Sequence, residues 1–170
     1  MWYVMQVVGG QEERVLALLK RRFFDDLLEE CFIPQYETMK KYRGEWRSVM
    51  EILFPGYLVV LTSQPAQLSS ALRKVPLFTK LLGNNDIFIP LNDQEVAFFE
   101  AFTNSEQRVV TMSEGIIEGG HVVILKGPLK GHAGMIKRID RHKRLAYLEM
   151  DMMGRKKTIK LGLEIVNKKQ

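Results

Sequence analysis

"KGPLKGHAGMIKRIDRHKR", residues 126–144, combines a Gly-Pro turn, a Gly-Xaa-Xaa-Gly loop and a short apolar strand in nineteen positions. Its glycines allow the backbone conformations that tight turns require. Seven Lys or Arg and two His share the stretch with one acid, Asp140. Because this charge excess is too one-sided for an ordinary solvated surface, the stretch predicts a negatively charged partner.

Short β-rich segments surround this stretch on both sides. They cover residues 121–126, 134–139, 145–152, 156–161 and 163–166, and turn residues separate them. Five short strands in about fifty residues indicate a small closed β-barrel. We therefore expect the glycines of residues 126–144 to form the turns and loops of the barrel. The cations of the same stretch are expected on the rim and edge of the barrel.

The preceding part of the chain alternates between strand and helix patterns. Residues 1–8 form an apolar strand pattern that ends at Gly9-Gly10, and residues 11–30 carry a helical period in Val15, Leu19 and Phe23. A hairpin with its tip at Arg43-Gly44 and an uninterrupted apolar strand at 56–62 follow.

A second helix is predicted between Pro65 and Pro76, then a short strand at 86–90, then a helix over 94–102 that Asp93 caps. This order predicts an α+β domain, a mixed sheet flanked by helices. Residues 103–120 have no strong period, apart from a brief strand at 108–112, and suggest a linker.

Charged side chains are distributed unequally between the first 110 residues and the rest of the chain. Residues 1–110 carry 12 basic and 14 acidic side chains, a net of −2, whereas residues 111–170 carry 13 basic and 6 acidic ones, a net of +7. A basic second domain favours phosphate backbones through counterion release.

Several classes of protein are disfavoured. The single cysteine, Cys31, excludes an internal disulfide, and its expected role is that of a small buried hydrophobe. No apolar run reaches the roughly 20 residues of a membrane span, and no signal peptide begins the chain, so we expect a cytoplasmic protein. His121, His132 and His142 lack partners for a metal or nucleophile site, and no phosphate-binding glycine motif is present. We therefore expect no catalysis, no metal and no cofactor.

Two groups of motifs carry a family resemblance. The segment "EGGHVVILKGPLKGHAGMIKRIDRHKRLAYLEMDMMGRKKTIKLGLEIV" resembles a KOW module, an SH3-like barrel. The opening "WYVMQVVGGQEERV", the Ile33-Pro34 pair and "FPGYLVV" at 54–60 resemble the NGN domain of NusG-type transcription elongation factors. This resemblance covers almost the whole chain and implies an NGN domain at 1–106, a linker at 107–117 and a KOW domain at 118–170.

The resemblance implies a factor that binds RNA polymerase. NGN domains dock an apolar patch on the clamp helices of the largest polymerase subunit, and a few apolar anchors can supply most of an interface's affinity. Carried over to this sequence, the patch is Trp2, Tyr3, Leu53, Phe54 and Tyr57. At Leu53 the family usually has an aromatic ring. We expect the chain to be monomeric.

The KOW half departs from the housekeeping pattern, in which an Asp-Gly-Pro-Phe turn helps to bind a ribosomal protein or the Rho terminator. Here the turn is Lys126-Gly127-Pro128-Leu129-Lys130, so charge replaces the aromatic ring. The basic barrel resembles the LoaP branch of specialised antiterminators, which a hairpin in the nascent leader RNA recruits. The expected RNA-binding residues are Lys126, Lys130, His132, Lys137, Arg138, Arg141, His142, Lys143, Arg144, Arg155, Lys156 and Lys157.

Other readings stay open at this point. A general NusG factor, which couples polymerase to Rho or to the ribosome, differs mainly in lacking strong RNA selectivity. A ribosomal protein could carry the KOW motif, but the net-acidic first domain then has no evident purpose. The second domain could also be stored as a helical hairpin, as in factors of the RfaH type, although its β-branched residues and glycines favour a constitutive barrel. Other elongation factors could act with the chain.

Overall fold

The structure is a computed structural model that describes residues 1–24, 26–84, 87–104, 106, 108–152 and 154–167. The chain forms two compact units, of which the first comprises Met1–Pro34 and Phe54–Val96, and the second comprises Gln35–Leu53 and Ala97–Gln170. In chain order the elements of the described residues are β1 (Trp2–Val7), α1 (Glu12–Phe23), β2 (Glu30–Phe32), β3 (Gln35–Tyr42), β4 (Glu45–Ile52), β5 (Tyr57–Leu61), α2 (Pro65–Leu72), β6 (Thr79–Leu81), β7 (Gly83–Asn84), β8 (Ile87–Phe88), α3 (Asp93–Phe102), β9 (Val109–Val110), β10 (Ser113–Glu118), β11 (His121–Lys126), β12 (Ile136–Asp140), β13 (Leu145–Met152) and β14 (Arg155–Ile165). The predicted α+β class is confirmed.

The first unit is built on a four-stranded antiparallel sheet with the order β2-β5-β1-β6. Strand β5 is internal, as its uninterrupted apolar sequence predicts, and Leu58, Val59 and Val60 are buried. Helix α1 packs against β2 and β5 and buries Val15 and Leu19. Strands β7 and β8 form a separate two-stranded ribbon.

Two helix boundaries differ from the sequence prediction. Helix α1 ends at Phe23 and not near residue 30, because the backbone of Phe24 is extended and the chain turns to bury Leu28. Helix α3 is capped by Asn92 and not by Asp93. The Glu95 backbone N–H donates to Asn92 Oδ1 at 2.8 Å, and the Asn92 backbone N–H donates to Glu95 Oε1 at 2.9 Å. This reciprocal pair is a capping box, which satisfies two backbone N–H groups together.

The second unit contains the β3–β4 hairpin, with β9 parallel to β3, and a five-stranded sheet in the order β11-β10-β14-β13-β12. The hairpin turns at the predicted tip, where Arg43 and Gly44 have φ angles of 49° and 83°. Positive φ at both central residues is the geometry that matches the twist of a two-residue hairpin. Between residues 121 and 165 the described residues form strands β11 to β14, turns and one short 3-10 helix, Ala133–Met135, and not a helical hairpin.

The expected linker and the expected fifth strand are both corrected. Residues 113–118 form strand β10, which pairs with β11 and β14, so residues 113–117 of the expected linker are not irregular. Residues 163–166 are not a separate strand, because β14 continues through Gly162. A side chain at Gly162 would collide with the Glu37 backbone carbonyl and the Met112 thioether, so this glycine makes room for packing and does not break the strand. Gln107 and residues 168–170 lie outside the described residues, and the NGN and KOW limits stay a prediction.

Candidate nucleic-acid interface and apolar docking residues

Three consecutive exposed basic residues lie in the turn between β12 and β13. Arg141, His142 and Lys143 are exposed there, and we call these three residues the basic turn. Asp140 Oδ1 accepts a hydrogen bond from the Lys143 backbone N–H at 2.9 Å. The only acid of the 126–144 stretch therefore closes the turn that presents the cations.

Two of the predicted RNA-binding cations already have carboxylate partners. Lys126 Nζ lies 3.3 Å from a Glu114 carboxylate oxygen, and an Arg144 guanidinium nitrogen lies 3.7 Å from a Glu164 oxygen. Strand register places Glu114 opposite both Lys126 and Glu164, so the two ion pairs lie next to each other on the sheet. Arg144 also lies over the Trp46 ring, 4.0 Å from its centroid. Both cations are thus less available to phosphates than those of the basic turn.

The loop after β11 is tied to β10. Gly127 has a φ of 103°, and a Cβ at this position would lie 2.6 Å from Ser113 Oγ. The Leu129 backbone N–H donates to the same Ser113 oxygen at 3.0 Å, and the Leu129 side chain is fully buried. The loop leaves Lys130 exposed, and the ring of His132 lies 4.9 Å from that of Phe102. His132 therefore has a packing contact in addition to its exposed surface.

The second basic cluster, Arg155-Lys156-Lys157, lies apart from the basic turn. Arg155 pairs with Met152 at one end of β13, and the basic turn precedes Leu145 at the other end. Eight strand residues separate these ends by roughly 23 Å at the usual rise per residue. The sequence-predicted cations thus form two groups and not one continuous clamp. Lys137 and Arg138, on β12, are exposed between them.

Sequence reasoning missed two residues of this surface, Tyr147 and Lys160. The register aligns Arg138 with Tyr147 and Tyr147 with Lys160 across β12, β13 and β14. The Arg138 guanidinium carbon lies 3.9 Å from the Tyr147 ring centroid, and Lys160 Nζ lies 6.0 Å from it. The register of three consecutive strands brings these residues together, and spacing along the chain alone does not fix that register.

The FPGY segment of the first unit forms a tight turn. The Tyr57 backbone N–H donates to the Phe54 carbonyl oxygen at 3.2 Å, and Gly56 has a φ of 87°. Pro followed by Gly at the two central positions is the signature of a type II turn. The buried Glu12 carboxylate accepts hydrogen bonds from the backbone N–H groups of Gly56 at 3.1 Å and Gly10 at 2.6 Å. Glu12 thus anchors this turn to the start of α1.

The five predicted polymerase-binding residues differ in exposure. Trp2, Phe54 and Tyr57 are half-buried, and the Trp2 ring contacts the Phe32 ring edge-on at a centroid distance of 5.7 Å. Tyr3 and Leu53 are each only 6% exposed. Because β1 is an internal strand with both faces covered, Tyr3 packs in the core. Tyr3 and Leu53 therefore expose little surface to a partner, and the polymerase-binding role of the five residues stays a prediction.

Three observations on the described residues concern thiol reactivity, metal binding and membrane crossing. Burial raises the pKa of the Cys31 thiol from 9.0 to about 12, so the thiol is protonated and unreactive near neutral pH. Within the ranges that the structure describes, His, Cys, Asp and Glu side chains form no group of three that could hold a metal ion. Among those same residues, no helix has the length and apolarity needed to cross a membrane.

Comparison with known proteins places the chain in a family. The family model described as "Transcription termination factor nusG" matches residues 1–100, and the KOW motif model matches residues 118–149. The Transcription termination/antitermination protein NusG of Escherichia coli K12 is 27% identical over 175 residues, which cover 98% of this chain and 95% of the relative. The Buchnera aphidicola and Rickettsia prowazekii proteins of the same name are 24% and 22% identical, with 98% of this chain and 95% and 89% of the relatives covered. The chain belongs to the NusG family, whose members are transcription termination and antitermination factors and not enzymes.

Proposed function

We propose that this chain is a specialised NusG-family elongation and antitermination factor. Its first domain binds RNA polymerase at the clamp helices of the largest subunit. Its basic second domain binds a hairpin in the nascent leader RNA and so promotes read-through of terminators in target operons. The observation that carries the proposal is the exposed basic turn, whose neighbouring acid Asp140 is engaged with the Lys143 backbone.

The charge arrangement supports an RNA partner for the second domain. Residues 111–170 carry a net charge of +7, and several of the described basic residues in this segment are exposed, including the basic turn and Lys130. Phosphate contacts of this kind supply affinity, and unpaired loops supply exposed bases for selectivity. Leu129, where housekeeping members carry an aromatic ring for protein partners, is buried and cannot serve as such an anchor.

Polymerase binding is supported by the half-buried aromatic residues Phe54 and Tyr57. The type II turn fixes their backbone, so little conformational entropy is lost when they enter an interface. Aromatic anchors in preorganised positions are typical of interface hot spots. Trp2 is also half-buried and could extend the contact.

Crosslinking of RNA to the chain in cells tests the RNA half of the proposal. We expect crosslinks to concentrate in one or a few leader hairpins upstream of operons and to map to peptides that contain the basic turn. Deleting the identified hairpin should remove read-through of the downstream terminator. Crosslinks spread evenly over transcripts, or dominated by ribosomal RNA, would contradict the proposal.

A binding assay with the purified cognate polymerase tests the other half. Replacing Phe54 by Ser should weaken binding by about tenfold or more, as expected for loss of a hot-spot side chain. Tyr42→Ser is the matched control, because Tyr42 is an aromatic residue with 51% exposure on the β3–β4 hairpin and lies outside the predicted patch. Equal affinities for the two variants would argue against docking through Phe54.

A general NusG factor remains the second candidate, and one observation favours it. Ile117, Val123 and Leu125 on β10 and β11 are each at least 40% exposed, which gives the second unit an apolar surface for a protein partner. Purification from cells distinguishes the two functions. Recovery of Rho or ribosomes with polymerase, without enrichment of any RNA, would favour the general factor.

A further inference from the structure

Three side chains form a row across the outer surface of the second unit. Arg138, Tyr147 and Lys160 occupy paired positions on β12, β13 and β14. The guanidinium carbon of Arg138 is 3.9 Å from the Tyr147 ring centroid, and the Lys160 ammonium nitrogen is 6.0 Å from it. Arg138 and Lys160 are exposed, whereas Tyr147 is half-buried. The row therefore presents two cations beside one aromatic ring.

No acid of the described residues neutralises this row. In contrast to Lys126 and Arg144, neither Arg138 nor Lys160 forms an ion pair within the described part of the chain. Contact with the ring restricts the guanidinium position without using up its charge or its outer surface. An exposed cation on a ring adds little stability by itself, so packing alone does not explain the arrangement.

The geometry points to a stacking site for an unpaired RNA base on this row. The base stacks on the outer side of the Arg138 guanidinium, which the Tyr147 ring supports from below, and Lys160 contacts a neighbouring phosphate. Aromatic rings and guanidinium planes are the surfaces on which proteins stack splayed-out RNA bases. A base paired within a duplex cannot enter such a stack, so the site selects RNA with an unpaired loop. This inference rests on the proposed function, because it assigns the loop-reading residues of the same RNA interface.

Two substitutions separate stacking from charge. Arg138→Lys keeps the positive charge but removes the planar guanidinium, and Tyr147→Phe keeps the ring but removes the hydroxyl. The matched control is Lys137→Gln, which removes a charge from the exposed neighbour of Arg138 on the same strand. The probes are a fluorescein-labelled RNA hairpin with an unpaired loop and a blunt RNA duplex with the same stem sequence, titrated at one ionic strength.

We expect Arg138→Lys to reduce the preference for the hairpin over the duplex by about 5- to 150-fold, the contribution of one base-stacking contact. Tyr147→Phe should leave the preference unchanged, whereas Tyr147→Leu should reduce it as Arg138→Lys does. Lys137→Gln should weaken binding of the two RNAs by the same factor and so leave the preference intact. Circular dichroism checks that each variant keeps its strands, and Arg138→Lys, on an exposed side chain, decides the question even if Tyr147→Leu unfolds.

The outcomes separate this inference from the proposed function. Hairpin binding by the parent with an unchanged preference in Arg138→Lys overturns the stacking site and leaves RNA binding intact. Equal losses for hairpin and duplex in Arg138→Lys overturn it as well, because they indicate a phosphate contact only. A parent protein that binds neither RNA contradicts the proposed function and this inference together.

Discussion

Replacing Glu12 by Ala should destabilise the first unit more than any other single change of a carboxylate in α1. The Glu12 side chain is 2% exposed and accepts hydrogen bonds from Gly10 at 2.6 Å and Gly56 at 3.1 Å. A hydrogen bond to a charged group contributes about 1.5–3 kcal/mol, and removing the acceptor leaves buried donors unsatisfied. We therefore expect the free energy of unfolding to fall by about 3–5 kcal/mol.

Glu13→Ala is the matched control for this prediction. Glu13 lies in the same first helical turn and so shares the favourable interaction with the helix dipole, but its side chain is exposed. Its replacement should cost no more than about 1 kcal/mol. Glu12→Gln, which keeps an acceptor oxygen but loses the charge, should fall between the two.

Urea denaturation followed by tryptophan fluorescence measures these differences. The chain has two tryptophans, and a Trp46→Phe background leaves Trp2, which belongs to the same unit as Glu12. Because Glu12 anchors the FPGY turn, Glu12→Gln should also weaken binding to polymerase while the chain remains folded. If Glu12→Ala and Glu13→Ala have the same free energy of unfolding, the role assigned to the buried carboxylate is wrong.

Three further predictions concern stability and reactivity. Gly127→Ala should cost about 2–4 kcal/mol, because φ is positive and the new Cβ would meet Ser113, whereas Gly131→Ala, with open space around it, should cost about 1–2 kcal/mol by the same urea assay. Leu129→Ala, at a fully buried position, should cost about 2–5 kcal/mol by thermal or urea unfolding. The Cys31 thiol, with its pKa raised from 9.0 to about 12, should react slowly with a disulfide reagent at pH 8 unless urea is added. Its contribution to stability should be constant below pH 9 and be lost as pH rises towards 12, so Cys31→Ala should make alkaline unfolding less steep.

Local signals in the sequence were sufficient for several elements. The Arg43-Gly44 tip, the buried strand β5 and the Pro65 helix start depend on residues that lie next to each other in the chain. Each can therefore be predicted from turn chemistry and hydrophobic pattern alone. The α+β class follows from the order of these elements.

Features that depend on distant partners could not be predicted in the same way. Gly162 looks like a strand breaker until Glu37 and Met112 are seen against it, and residues 113–118 look like a linker until β11 and β14 pair with them. The apolar pattern of residues 1–8 predicts a buried strand, and Tyr3 is buried in β1, although the family resemblance includes it in the docking patch.

In the candidate site, too, local features could be predicted from the sequence and contacts between strands could not. The basic turn was recognisable from composition, because its cations are consecutive. Composition could not show that Glu114 and Glu164 pair with Lys126 and Arg144, since the partners come from other strands. The separation of Arg155-Lys156-Lys157 from the basic turn likewise follows from the length of β13.

The salt dependence of RNA binding tests the central claim most directly. The probe is an RNA hairpin with an unpaired loop, and its affinity for the parent, for Arg141→Gln/Lys143→Gln and for Lys126→Gln is measured over a range of salt concentrations. Loss of two phosphate contacts should reduce the slope of log K against log salt by about 1.4–1.8 in the double variant, whereas loss of the paired Lys126 should change it by less than about 0.5. An unchanged slope in the double variant would show that the basic turn does not hold the RNA backbone, and would contradict the account.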